Sequence, residues 1–411
     1  MSNEIMSEST KRTDELASEI SLKVGYFGVG NAGSQIGLEL YKAGFPVKIA
    51  NTSIKDLHGK LIPEGIEAFL IEDAAAQSRG AGRNRRTAKS LYKEWNQKAL
   101  LFENEDFMDF MSEKDIIFVG SSTAGGTGSG ISVALAYQLA QVFPSKIIIL
   151  IAVIPRLSES VTCQNNTLDY FDEVTKLNNM GTCNIPYMVY DLEKYAQYNA
   201  DEAYEKIAKD ITTAVGVIAG QRSQLTEHGM IDERDMLTAI TAPGMLSIYV
   251  KDKIDLNKIE GSSIQSLLLK DVRTSSVVQP QRDKISSYFA VFLDIQEESE
   301  DPTKKNDFTE FTDFFGRPLD IFVNMKVSNS ASSSIALIAS GLSVPADRLD
   351  QCNEIVKEYE SKRKAKEYDI SSSADSHRSL TVNAQLDKLM GSSGKTAAQS
   401  ADSVEVPDFL L

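Results

Sequence analysis

Between Val119 and Gly130 the chain reads Val-Gly-Ser-Ser-Thr-Ala-Gly-Gly-Thr-Gly-Ser-Gly, a run suited to wrapping an anion. Where no Cβ intervenes, successive backbone N–H groups can turn toward one oxygen-rich group. The apolar stretch Asp115 to Val119 leads into the run and reads as a buried strand, and Ile131 to Ala140 leaves it as a helix. A helix N-terminus adds unpaired donors and a partial positive charge, so the unit is expected to cradle a phosphate. A second unit of the same kind stands near the start, with a strand over 22–27, then Gly28-Val-Gly-Asn-Ala-Gly33, then a helix from Ser34. A lone G-x-G-x-x-G points to a dinucleotide, and that reading needs an acid closing the second strand to hold a ribose. Here Val47–Ala50 runs into Asn51, Thr52 and Ser53 with no carboxylate before Asp56, which disfavours an NAD enzyme.

Acids that could work on a phosphate lie further along, in Asp232-Glu-Arg-Asp235. Their i, i+3 spacing puts both aspartates on one face if the stretch is helical. The same run also reads as an N-capping acidic turn, and Glu233 could stand in for either aspartate. The histidines at 58, 228 and 377 have no evident partners. Cys163, Cys183 and Cys352 lack metal-ligand spacing and are expected to be ordinary buried thiols of a reducing compartment. Gly391-Ser-Ser-Gly-Lys-Thr396 imitates a P-loop, but Leu389 stands where the pattern needs glycine and no strand precedes it.

The elements that must position these groups follow from apolar patterning. At 411 residues, 42% hydrophobic and 25% charged, the chain has room for two domains and a tail and the composition of a soluble protein. Strands are expected at 22–27, 46–50, 67–71, 115–119, 146–154 and 186–190, alternating with helices as in a parallel sheet covered on both faces. The eight-residue apolar run Ile147–Ile154 is too short to cross a bilayer and suits a central strand. Asp201 to Gly220 reads as one long amphipathic helix with Tyr204, Ile207, Ala208, Ile211, Val215 and Ile218 inward. Strands return at 245–250, 286–295, 319–327 and 334–339, and a surface helix is expected from Pro345. From about Tyr368 the composition turns to Ser, Ala, Asp and Gly, the signature of disorder. The first twenty residues are polar rather than apolar, so no signal peptide is expected. A net charge of −15 argues against a broad basic face for nucleic acid.

Taken together, the glycine loops resemble those of the tubulin/FtsZ superfamily of polymerising GTPases. Gly126-Thr-Gly-Ser-Gly130, with Gly125 before it, is similar to the superfamily's signature loop. Gly30-Asn-Ala-Gly-Ser-Gln-Ile-Gly37 resembles the first nucleotide loop, Asn51-Thr52 the next, and Gly80-Ala-Gly-Arg-Asn84 the third. Within the superfamily the TubZ branch, plasmid- and phage-borne and DNA-moving, is the most similar. Ser18–Lys23, Gly82-Arg-Asn84, Pro155-Arg156 and Thr241–Ser247 carry that likeness, which covers roughly residues 20 to 365.

The resemblance implies a Rossmann-like parallel-sheet GTPase domain, a long connecting helix and a smaller mixed-sheet C-terminal domain. The expected boundaries are an N-terminal extension at 1–20, the GTP-binding domain at 21–198 and the helix at 199–228. A C-terminal activation domain at 229–345, a helix at 346–367 and a tail at 368–411 follow. It implies GTP with Mg2+ held through phosphates and water. Phosphate contacts would come from Gly30, Asn31, Ala32, Gly33 and Gln35, from Asn51 and Thr52, and from Ala124, Gly125, Gly126, Thr127, Gly128, Ser129 and Gly130. Gly80, Ala81, Gly82, Arg83 and Asn84 would sense the γ-phosphate, and Pro155 would end a strand at the site.

Guanine presents N–H donors, so Asn165 and Asp201 are expected at the base and Tyr198 stacked on it. Asp232 and Asp235 would be the catalytic acids, offered to the nucleotide of the next subunit. The implied partner is the chain itself, in head-to-tail filaments, with a DNA-bound adaptor met through the tail and no direct nucleic-acid or membrane contact. An FtsZ-like division filament, whose adaptor peptide Glu405–Leu411 resembles, is a rival; a non-polymerising nucleotide-binding regulator is another.

Overall fold

The computed structural model describes residues 23–59, 62–71, 80–97, 101–219, 231–255, 263–272, 285–296, 308–328, 332–372 and 406–411. Every apolar run read as a strand is one. The first six are β1 (Val24–Val29), β2 (Val47–Asn51), β3 (Glu67–Leu70), β4 (Ile116–Ser122), β5 (Ile147–Ile154) and β6 (Tyr187–Asp191). They pair in parallel in the order β3-β2-β1-β4-β5-β6. Helices cover this sheet: α1 (Gly30–Lys42), α2 (Ile54–His58), α3 (Arg85–Gln97), α4 (Glu105–Glu113), α5 (Thr127–Val142) and α6 (Val161–Met180). Burial on both faces explains why β5 is apolar from end to end, all but its first residue being buried.

The long helix α7 (Ala200–Ile218) starts one residue before its expected position because Asn199 caps it, in a reciprocal capping box with Glu202. Ile207, Ala208, Ile211, Val215 and Ile218 are buried as their spacing predicts, while Tyr204 is half-buried. The helix packs on α1 at one side and on β7 (Met245–Ile254) at the other, so it ties the two halves together.

The second half adds β8 (Tyr288–Gln296), β9 (Asp320–Ser328) and β10 (Ser333–Leu342), in the order β7-β10-β8-β9. Its sheet is mixed: β10 is antiparallel to β7 and β8, while β9 is parallel to β8. The halves are joined in one ten-stranded sheet through a single ladder pair, Tyr187 with Met245. Helix α8 (Glu233–Thr241) lies on β10 and β8. Helix α9 (Ile264–Val272) lies on β7 and touches α10 (Thr309–Phe315).

The last helix, α11 (Ala346–Ser372), packs on α6. Its Arg348 reaches back into the first half, with Nε donating to Asp191 Oδ2 at 3.1 Å and a second nitrogen donating to the Pro155 carbonyl. Burial pushes the Asp191 carboxyl above the usual range, with the Arg348 charge opposing it.

Three sequence expectations change here. The chain stays helical to Ser372, past the point where composition turns polar, and residues 406–411 are ordered in a short turn against the core. Helix α5 begins at Thr127, so half of the glycine loop is its first turn, where glycine meets no preceding turn to destabilise. Cys163 and Cys352 are buried, but Cys183 is only half so. The expected N-terminal extension, the P-loop imitation, His228 and His377 lie outside the described residues. Among the described residues no helix is long and apolar enough to cross a membrane.

Candidate functional site

Side chains cap the start of seven helices: Ser53 for α2, Asn84 for α3, Asn104 for α4, Ser160 for α6, Asn199 for α7, Asp232 for α8 and Ser263 for α9. Helices α1 and α5 begin after Val29 and Gly126 with no side-chain cap, as does the short α10 on the far half of the sheet. The starts of α1 and α5 abut. Gly30 sits at φ +73°, and a Cβ on it would stand 2.8 Å from the Gly128 nitrogen. Two sets of unsatisfied N–H groups, each with a partial positive charge, therefore share one corner of the sheet. An anion with several oxygens fits such a corner.

The other loops close round it. Thr52 Oγ1 lies 2.6 Å from Thr127 Oγ1 and accepts from the Ala81 nitrogen at 3.0 Å. A Cβ at Gly126 would stand 2.5 Å from the Gly82 carbonyl oxygen and 3.0 Å from the Asn84 nitrogen. Asn84 itself accepts from Thr87 N at the start of α3. The structure thus brings together Gly30, Ala32, Gly33, Asn51, Thr52, Gly80 to Asn84 and Ala124 to Gly130. Asn51 is buried, and its Nδ2 meets no acceptor among the described residues. An unspent buried donor costs free energy, so this one fits a site meant to receive an oxygen-rich ligand.

Several expected contacts are spent within the protein. A Cβ at Gly33 would stand 2.1 Å from the Gly120 carbonyl oxygen, so that glycine exists to let α1 lie on β4. The Ser129 hydroxyl donates to the Gly125 carbonyl one turn back. Pro155 has no N–H, and its carbonyl is taken by Arg348, so it offers a ligand nothing polar. Arg83 donates to Ser160 Oγ at 2.9 Å. Asn31 is exposed at the first turn of α1, with Gln35 half-buried behind it.

Around the expected base position the geometry differs from the reading. Tyr198 precedes the Asn199 cap, so it does not share a helical face with Asp201; its ring lies under the Lys206 ammonium, 4.3 Å away. Arg156 holds this corner by donating to the carbonyls of Tyr195 and Tyr198, at 3.1 and 2.6 Å. Asp201 is exposed, and it and Glu159 help push the half-buried Tyr204 hydroxyl up to about 12, burial being the main cause. Asn165 is exposed, 3.3 Å from Asp169. Asp232 and Asp235 cap each other: Asp235 N donates to Asp232 Oδ1 at 2.8 Å, and Asp232 N to Asp235 Oδ2 at 3.4 Å. Gly229 and Met230, just before them, lie outside the described residues.

Asn166, one residue past the expected asparagine, was not singled out by sequence. It is buried, and its Nδ2 donates to the carbonyls of Ala124, Gly125 and Arg83 at 2.8, 3.2 and 3.0 Å. One amide thus clasps the signature loop to the third loop. The helical spacing of Cys163, Asn166, Thr167 and Tyr170 was the available signal, since it turns Asn166 inward with them. Asn166→Ala leaves three carbonyls without this donor and is expected to cost about 1–3 kcal/mol of stability. Ligand affinity should fall roughly tenfold with it, because the loops lose their common tie. Denaturant unfolding and ligand titration on the same protein check both.

No protein-family profile matches the chain. It is 24% identical to the tubulin-like protein CetZ of Methanothrix thermoacetophila over 258 residues, 60% of this chain and 64% of that protein. It is 23% identical to the tubulin-like protein TubZ of a Clostridium botulinum C phage over 227 residues, 55% of this chain and 58% of that protein. The sequence matches therefore span less than two thirds of these relatives' own length. Among solved structures, CetZ2 of Haloferax volcanii, a GTPγS-bound protofilament, superposes with a TM-score of 0.63 at 17% identity, covering 82% of this chain and all of that one.

Proposed function

Because this chain is a tubulin/FtsZ-superfamily protein close to TubZ and CetZ, we propose that it binds GTP and hydrolyses it on assembling head to tail into filaments. The observation that carries this reading is the corner where the uncapped starts of α1 and α5 meet. In it, the N–H groups of Gly125 to Gly128 and of Gly30 to Ala32 hold the phosphates, and Asn51 Nδ2 supplies a buried donor. The Thr52 and Thr127 hydroxyls and the Asn31 amide would hold a magnesium ion through its waters, and the ion would supply charge neutralisation on the phosphates. Asp201, exposed in the first turn of α7, accepts the guanine N–H groups.

The placement of α8 supports the split of the reaction between molecules. Strands lie about 4.8 Å apart, so β10, on which α8 lies, stands roughly 19 Å across the sheet from β4 and roughly 24 Å from β1, the two strands that carry the glycine loops. Asp232 and Asp235 therefore act on the nucleotide of the next subunit, where they orient the attacking water. Phosphoryl transfer depends mainly on such positioning, so hydrolysis waits for assembly. A contact joining two different faces does not close on itself and propagates as a filament. The protofilament form of the CetZ2 neighbour supports the same assembly.

Likeness to a phage TubZ favours a cargo of plasmid or phage DNA, reached through an adaptor. Purified protein with GTPγS should sediment and show filaments by electron microscopy. Single particles at every concentration tested would overturn the proposal.

A further inference from the structure

Helix α5 has no exposed face over its first thirteen residues: every residue from Thr127 to Leu139 is buried. The sheet strands β4 and β5 and helices α3 and α6 cover much of it. Helix α1 and strand β1 add to that cover, and the far end of the chain supplies a further piece, where the turn Asp408–Leu410 packs on α5. Val406 and Leu410 are buried there, Phe409 and Leu411 pack at the edge, and Asp408 points to solvent. Lys89 of α3 donates to the Phe409 carbonyl at 2.9 Å. The polar tail thus closes on Val-Pro-Asp-Phe-Leu-Leu, whose four large apolar side chains suit this surface.

The same lysine begins a polar path to the candidate site. Lys89 Nζ lies 2.7 Å from Glu173 Oε1, and Arg85 lies 2.5 Å from Glu173 Oε2. Arg85 also donates to the Asn166 carbonyl at 3.1 Å. Asn166 in turn clasps Ala124, Gly125 and Arg83. All four side chains are largely shielded from water, where a displaced partner is costly.

We propose that the surface formed by α5 and Lys89 is a receptor for the chain's own C-terminal peptide Val406–Leu411, and that its occupancy stiffens the phosphate loop through Lys89, Glu173, Arg85 and Asn166. The coupling rests on the nucleotide reading above; the docking does not. Because coupling is reciprocal, nucleotide binding also tightens the docked peptide. The peptide is buried in this state, so an adaptor that recognises these residues must first displace them.

The test uses the full chain and Leu410→Asp, with Asp408→Asn as control. Hydrogen exchange should show the Leu410 and Leu411 amides protected in the parent, roughly tenfold more than in Leu410→Asp. GDP should raise that protection, and Leu410→Asp should bind GDP roughly fivefold more weakly. Adding the free hexapeptide at millimolar concentration should restore the affinity, which also shows that the variant is folded. Asp408→Asn should change neither reading.

Equal, fast exchange in parent and variant overturns the docking. Protected amides with unchanged GDP affinity in Leu410→Asp overturn the coupling. If no protein binds GDP at all, the nucleotide reading and the coupling fall, while exchange alone still decides the docking.

Discussion

Gly126→Val is expected to lower GTP affinity by about a hundredfold or more while the chain stays folded, and the neighbouring Gly125→Ala makes the comparison sharp. Gly126 has ordinary helical dihedrals, φ −79° and ψ −61°, so a larger residue meets no backbone penalty. What it meets is the Gly82 carbonyl, 2.5 Å from the new Cβ, and the Asn84 nitrogen, 3.0 Å away. Both are backbone atoms of the third loop and cannot swing aside as a side chain would. The loops must part, at a cost of about 1–3 kcal/mol for overpacking.

Gly125 is the opposite case, because a Cβ there meets no atom of the described residues within 4 Å. Gly125→Ala should therefore leave the melting temperature unchanged and still weaken GTP binding, since the only thing in its way is the ligand. Titration with a fluorescent GTP analogue and thermal unfolding of both variants give the result. Parent-like affinity in Gly125→Ala would mean that the phosphates do not lie against this loop.

The second large effect concerns Asp232. Its carboxylate caps α8, so Asp232→Ala mixes lost capping, about 1 kcal/mol, with any lost chemistry. Asp232→Ser separates the two, because serine caps about as well as aspartate yet carries no charge. Stability and GTP binding should match the parent, while turnover falls by roughly 10²–10⁴, the usual contribution of a positioned acid or base. Filaments of this variant should form and then persist. Parent-like turnover would remove Asp232 from the chemistry and leave it as a helix cap.

The strands were legible because each is a run of apolar or alternating residues long enough to mark its own period, as Ile147–Ile154 does. The glycine loops were legible because their residues are consecutive. What sequence could not supply was the partner of each polar group. Pro155 and Ser129 fit the site by position, yet their polar atoms are spent on Arg348 and Gly125. Arg348 lies far along the chain from Pro155, and no local pattern links the two.

Tyr198 shows a different limit. Its spacing from Asp201 suggests a shared face only if the helix already includes it, and the helix begins at Ala200, after the Asn199 cap. The terminal peptide was read as structureless from the composition of the residues before it. Its own apolar residues, Val406, Phe409, Leu410 and Leu411, were the contrary signal, and the mostly apolar run Ile131–Ala140 of α5 was the other half of it.

The central claim is that subunits complete one another's reaction site, and GTP turnover per subunit against protein concentration tests it most directly. The account predicts almost no turnover below a threshold concentration, then a steep rise to a constant rate per subunit as filaments appear. A rate per subunit that is the same at every dilution, with the protein monomeric, would contradict it.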